Sequence, residues 1–254
     1  MSEHFEYAPE FGWIRRRTPK RGLNLVEVLV VVGLLGIVAG LLMPAVCTNC
    51  VTTRRGQCAN NLRNIAVALV QYEQRYGAFP PAYTTDRDGR PLHSWRTLIL
   101  PYLDQPDLYE SIDLSKPWDD PVNTKAFATW VSPYHCPSSG APENTTTYLA
   151  NAAEGGLLMP DKPRRLAEVT DRLASTLMMI EVDEGHAVPW MAPTDADEAL
   201  ILGLTPGSKL PHPKGMNAAF VDGSVRYLEA TTPPEGRRAM ISIAGHDGPT
   251  EDPF

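Results

Sequence analysis

The sequence contains no glycine-rich phosphate loop and no Gly-x-Ser-x-Gly elbow, which removes the P-loop nucleotide binders and the hydrolases built on a nucleophile turn. Basic residues are in the minority, 23 Lys and Arg against 30 Asp and Glu, whereas nucleic-acid binding needs a basic footprint. Cysteine is scarce: Cys47, Cys50, Cys58 and Cys136 are too few and too scattered to read as a zinc site. Val51 follows the Cys-x-x-Cys pair where haem attachment requires His. Asp86-Arg87-Asp88-Gly89 begins like a calcium loop, but position twelve falls at Thr97 instead of a bidentate Glu, so a solvated turn is expected. The most informative scarcity is local: between Leu23 and Val46 there is a single charged residue, Glu27.

Those 24 residues, as a helix, reach about 36 Å against a hydrocarbon core of roughly 30 Å. They are long enough to span a membrane. A lone ionised side chain in lipid is expensive without a partner, which makes Glu27 a functional residue by default. Upstream stand Arg15, Arg16, Arg17, Lys20 and Arg21, then Gly22, then the apolar Leu23, with Glu27 five residues past Gly22. This arrangement resembles the type IV prepilin and pseudopilin signature. The resemblance implies cleavage after Gly22 by a prepilin peptidase, N-methylation of Leu23, and pairing of Glu27 with the new amino terminus of a neighbouring subunit. A secretory signal would need a shorter apolar core and a small-residue cut site, which Met43-Pro44-Ala45-Val46 imitates poorly. Gly36-x-x-x-Gly40 permits close helix approach in lipid, and Pro44 sits where many pilin helices bend.

Segment 1–22 carries five basic and three acidic residues, so its removal leaves 18 basic against 27 acidic. The basic residues before the span predict a cytoplasmic amino terminus and an extracytoplasmic carboxyl-terminal domain. Disulfides persist in that compartment, and Cys58 with Cys136 is the expected bridge, tying the stalk helix to the domain. Cys47 and Cys50 stay open between a local pair, a pair between subunits, and free thiols.

Beyond Pro44, Leu62, Ile65, Leu69, Tyr72 and Tyr76 recur every three or four residues and predict one apolar helix face, ended by Gly77 and Pro80-Pro81. Short helices are expected over Ser94 to Leu103, interrupted at Pro101, and over Lys125 to Val131. Thr176 to Val182 reads as a buried strand. Met216 to Val221 and Ser224 to Leu228 read as a hairpin whose Asp222-Gly223 suits a type I′ turn. The expected fold is α+β and pilin-like: leader 1–22, transmembrane helix 23–46, stalk helix 47–78, and an antiparallel sheet domain over 79–254.

A second resemblance covers nearly the whole chain after the leader. Arg54-Arg55-Gly56-Gln57-Cys58-Ala59-Asn60-Asn61-Leu62, Gly77-Ala78-Phe79-Pro80-Pro81, Ser94-Trp95-Arg96, Leu100-Pro101-Tyr102-Leu103 and Cys136-Pro137-Ser138 resemble a large planctomycete-type family of unknown function. Val188-Pro189-Trp190 with Pro193 and Asp195 also fits it. Its members join a prepilin-type amino terminus to a domain with an H-x9-DG hallmark, here His212 and Asp222-Gly223. The Cys-x-x-Cys pair and Asp171-Arg172-Leu173-Ala174-Ser175 depart from the family pattern.

The hallmark invites a catalytic story, yet Asp222 is explained by its turn, and a structural hydrogen bond is the expectation for His212. Glu181, Asp183, Glu184 and His186 form a local cluster that strand alternation would split. Neither enzymatic activity nor a cofactor or metal is expected. Two functions remain. One is a structural subunit of a type II secretion or type IV pilus-like assembly in the inner membrane, with pilin or pseudopilin subunits, itself included, as partners. The alternative is a membrane-tethered module binding polysaccharide, protein or metal, for which Trp95, Trp118, Trp130 and Trp190 are possible stacking faces, burial being their commoner fate.

Overall fold

The computed structural model describes residues 5–8, 12–15, 24–160 and 162–245; within the first helix the side chains of 27, 36 and 38–52 fall outside the described set. The chain divides into two compact units between Cys50 and Val51.

In the first unit, β1 (Phe5–Ala8) pairs antiparallel with β2 (Gly12–Arg15), a hairpin the sequence reading did not expect within the leader. The long helix α1 (Leu25–Tyr76) begins here. Its described residues include Leu25, Val26, Leu29, Val30, Val31, Val32, Leu34, Leu35 and Ile37, all largely exposed and distributed around the whole helix. Among the described residues no helix is long and apolar enough to cross a membrane. The expected span 23–46 lies partly outside them.

In the second unit, α1 continues to Tyr76 and buries Cys58, Leu62, Ile65, Ala66 and Leu69 completely. Gly77, at φ +77°, ends it by donating its N–H to the Glu73 carbonyl at 2.7 Å. Tyr76 departs from the expected buried face: it is exposed and leans on Tyr72 with ring centroids 4.4 Å apart. As the last helical residue it sits at the exposed end of the stripe.

There follow β3 (Tyr83–Thr85) and β4 (Pro91–Ser94), α2 (Trp95–Leu98), α3 (Pro106–Glu110) and α4 (Thr124–Phe127). Pro101 falls in a 3-10 turn over Leu100–Leu103. Asp86 makes the turn between β3 and β4, its Oδ1 accepting from the N–H groups of Asp88 and Arg90 at 2.8 Å. Next come β5 (Thr145–Thr146), β6 (Tyr148–Ala150), β7 (Leu177–Glu181), β8 (Val188–Pro189), α5 (Glu198–Gly203), β9 (Gly215–Phe220), β10 (Val225–Glu229) and α6 (Pro234–Ile241).

The central sheet is antiparallel, in the order β10-β9-β7-β6. Alternation sorts its side chains into two cores. Tyr148, Ala150, Met179, Ala219 and Val221 pack in the cluster that contains the α1 stripe. Leu149, Ile180, Met216, Ala218 and Phe220 pack with Ile201 of α5 and Met240 and Ile241 of α6. Met178 and Met179 both join the first cluster because the register shifts between Leu177 and Met179. Parity then places Glu181 on the α1 side, opposite Tyr148.

The β9–β10 hairpin forms as expected, but its turn differs from type I′. Gly223 donates to the Phe220 carbonyl and Phe220 to the Ser224 carbonyl, both at 2.9 Å, which makes a three-residue loop. Gly223 alone takes positive φ, +80°, while Asp222 does not. This is a type I turn followed by a left-handed residue at the bulge, the usual three-residue solution. Asp222 Oδ1 accepts from Ser224 N at 2.9 Å and Ser224 Oγ at 2.6 Å. Forcing a branched side chain into the left-handed position costs about 1–3 kcal/mol, so Gly223→Val should lower stability by that amount in thermal unfolding. Asp222→Asn retains the accepting oxygen and should change stability by less than about 0.5 kcal/mol.

Candidate functional site

Four segments, one of them α1, converge on a buried polar cluster. Cys58 faces inward from the helix, and Cys136 follows a 3-10 turn over Ser132–Tyr134; the two form a disulfide with Cα atoms 5.2 Å apart. Glu181 ends β7. His212 stands in the turn before β9, held by reciprocal backbone bonds with Gly215, its N–H to Gly215 O at 3.3 Å and the return bond at 3.2 Å. Lys214, at φ 72°, takes the left-handed conformation within that turn.

His212 Nε2 lies 3.0 Å from Glu181 Oε2, and Asn217 Nδ2 donates to the same oxygen at 2.7 Å. The other carboxylate oxygen, Glu181 Oε1, is buried with no hydrogen-bond partner. Glu181 and Cys58 are fully buried; Cys136, Asn217 and His212 are nearly so. One donor atom each from Cys58, Cys136, Glu181 and His212 lies within 4.8 Å of the others. Tyr148 packs beside this group, and its phenol is pushed well above the usual range by burial, with the Glu181 charge adding to the effect. Asn61, one turn past Cys58, donates to Tyr148 Oη at 3.5 Å and to the His135 carbonyl at 2.8 Å.

His212 and Asp222, expected to form one motif, therefore take separate places: His212 belongs to the buried cluster, and Asp222 caps the outer hairpin.

A second buried network surrounds Arg96. Its Nη2 meets Asp195 Oδ1 at 2.5 Å and the Tyr148 carbonyl at 2.9 Å, and Nη1 donates to Ser94 Oγ at 2.8 Å. Asp195 also accepts from Trp95 Nε1 at 3.0 Å and Ala150 N at 2.8 Å. Tyr134 Oη donates to the Arg96 carbonyl at 2.6 Å. Burial pushes the Asp195 carboxyl up, opposed chiefly by the adjacent Arg96 guanidinium. Every group is spoken for, so the network locks α2 to β6 and the segment after β8.

Residues 52–202 match the family described as "Protein of unknown function (DUF1559)", and that span holds the Arg96 network together with Cys58, Cys136 and Glu181. The chain belongs to the DUF1559 family. No curated protein and no solved structure matches it. The DUF1559 match ends before His212, so it does not cover the expected H-x9-DG motif.

In this DUF1559 chain the acidic loop after β7 is divided. Asp183 binds His186 Nδ1 at 2.7 Å and Gly185 N at 2.7 Å, while Glu184 pairs with Lys209 and accepts from Gly140 N at 3.1 Å. The Lys209 ammonium and the Gly140 N–H hold the Glu184 carboxyl below its ordinary value. Glu181 and Asp183 are both buried, but Glu181 is the one that meets His212 and Asn217. Asp183, Glu184 and Lys209 line a cleft of about 170 Å³ that also reaches Cys136 and Thr147. Trp95 and Trp190 are buried and offer no stacking face; Trp118 packs edge-on to Phe127, and Trp130 is half-exposed against His135. Gly22 and Leu23 lie outside the described residues; Gly36 and Gly40 fall within α1, but what packs on them lies outside the described set, as do the side chains of Glu27, Cys47 and Cys50.

Sequence reasoning did not bring Glu181 to His212. The signal available was a carboxylate closing the apolar run Leu177-Met178-Met179-Ile180, which buries its last side chain with the rest of the strand. Removing one partner of a buried ion pair leaves an uncompensated charge. Asp195→Ala should therefore destabilise the domain by about 3–5 kcal/mol in denaturant titration, and Asp195→Asn, which keeps an acceptor, by less.

Proposed function

We propose that this DUF1559 chain is a membrane-anchored, pseudopilin-like structural subunit of a type II secretion or type IV pilus-like assembly. The observation that carries the reading is the two-part character of α1. Over 25–37 its described apolar side chains are exposed on all sides, the mark of a helix meant for lipid or for other helices. Over 58–69 the same helix buries a narrow stripe in a folded domain. A subunit that polymerises through one end of a helix and displays a domain at the other has this division. The basic segment ending in Gly22 and the isolated Glu27 support it from the sequence.

In this reading prepilin peptidase cuts after Gly22 on the cytoplasmic face, and the cut creates the amine that Glu27 of an adjacent subunit requires. Opposite charges in lipid attract far more strongly than in water, so an uncleaved chain, which lacks the amine, stays out of the fibre.

Mass spectrometry of membrane-extracted protein should find the amino terminus at N-methylated Leu23, and Gly22→Val should leave the chain uncut. An intact leader in cells with active prepilin peptidase would reject the reading. Glu27→Leu removes a charge from lipid and should leave insertion and cleavage intact while abolishing co-assembly, measured by crosslinking between subunits. Wild-type crosslinking by that variant would defeat the pairing mechanism.

A further inference from the structure

We propose that Cys58, Cys136, Glu181 and His212 are a zinc site that the Cys58–Cys136 disulfide closes. With the sulfurs as thiolates the chain takes one zinc ion; with them joined it takes none. The proposal is independent of the assembly reading.

The donor set carries the argument first. Two sulfurs, one imidazole nitrogen and one carboxylate oxygen match the ligands of zinc, a borderline-soft ion that accepts Cys, His and Glu in tetrahedral sites. The four donor atoms already lie within 4.8 Å of one another. A tetrahedral ion with bonds of about 2.0–2.3 Å sets its ligands roughly 3.3–3.8 Å apart, so the farthest donors close by about 1 Å. Breaking the sulfur–sulfur bond lets the two thiolates part to the separation the ion requires.

The second observation is independent of the cysteines. Glu181 is fully buried, and its Oε1 has no donor. An unsatisfied buried acceptor is destabilising, and a covalent clamp between helix and sheet has no use for a carboxylate beside it. A cation satisfies that oxygen. The remaining contacts hold the ligands in place: Asn217 donates to Oε2, and the backbone bonds with Gly215 fix His212. Metal-bound carboxylates and imidazoles are oriented by such partners. The cleft reaches Cys136 directly and, through Val182 and Pro211, the chain neighbours of Glu181 and His212.

The exchange balances as follows. An external dithiol passes two electrons and two protons to the disulfide, leaving two thiols and itself becoming a disulfide. Zinc displaces both thiol protons to solvent and takes the Glu181 carboxylate and neutral His212 as its other ligands. In either state the same segments of helix, loop and sheet remain tied, by a covalent bond in one and by coordination in the other.

The test uses the full chain in detergent with Cys47→Ser and Cys50→Ser, which removes the other thiols. After reduction with a dithiol and desalting without oxygen, cobalt(II) titration should give tetrahedral d–d bands and thiolate charge transfer at one ion per chain, displaced by zinc. The oxidised chain should give neither. His212→Gln and Glu181→Gln should each raise the zinc dissociation constant more than about 100-fold, beyond the 10- to 100-fold typical of a supporting group, the class to which Asn217→Ala belongs. No tetrahedral spectrum, equal binding by the oxidised chain, or an unchanged spectrum in His212→Gln would each overturn the proposal. Should those variants not fold, peptide mapping of alkylation in the reduced parent decides: zinc should slow modification of Cys58 and Cys136 at least tenfold, and equal rates reject the site.

Discussion

The burial of the α1 stripe against the central sheet is the contact on which the rest of the domain depends. Leu62, Ile65 and Leu69 meet Tyr148, Ala150 and Met179 from the sheet in one cluster, and a fully buried Leu or Ile contributes about 1.5–3 kcal/mol by leaving water. That face of the sheet is consequently committed to the helix, and α5 and α6 cover the other. Cys58 lies on the same stripe, so the packing that builds the core also delivers a sulfur to Glu181 and His212.

Two buried ionic clusters in this core differ in how fully they are paired. Around Arg96 every strong donor and acceptor is matched, as a network that only locks segments together requires. Around Glu181 one oxygen is left over. Other buried polar atoms also lack a partner, Asn151 Oδ1 and Arg237 Nε among them, but Glu181 Oε1 is the carboxylate oxygen in that state among the described residues.

Local patterns made much of the domain legible in the sequence. The helix stripe follows from spacing of three and four, the helix end from Gly77, and the β9–β10 hairpin from Asp222-Gly223 between apolar runs. The turn class was misjudged because two-residue and three-residue loops share an Asp-Gly pair, and only the pairing of Phe220 with Ser224 distinguishes them. Tyr76 kept the apolar spacing but is left exposed at the helix end. The meetings of Glu181 with His212 and of Arg96 with Asp195 join residues 31 and 99 positions apart. They come from strand pairing and tertiary packing, for which a single sequence holds no local signal. Membership of the DUF1559 family was legible through several short motifs in order, two of which, Ser94-Trp95-Arg96 and Asp195, meet in the Arg96 network.

The nine residues between His212 and Asp222 are the length of one strand with its entry and exit. His212 closes the turn into β9 through Gly215, and the hairpin loop at its far end holds Asp222. Within β9, Asn217 looks toward Glu181 while Met216 and Ala218 look toward α5 and α6. One residue added or removed between the two landmarks would exchange these faces, carrying Asn217 to the apolar side and an apolar neighbour to the carboxylate. The spacing is thus a parity constraint: odd changes in length destroy the polar cluster and the second core together, whereas an even change lengthens the strand and leaves every side chain on its own side.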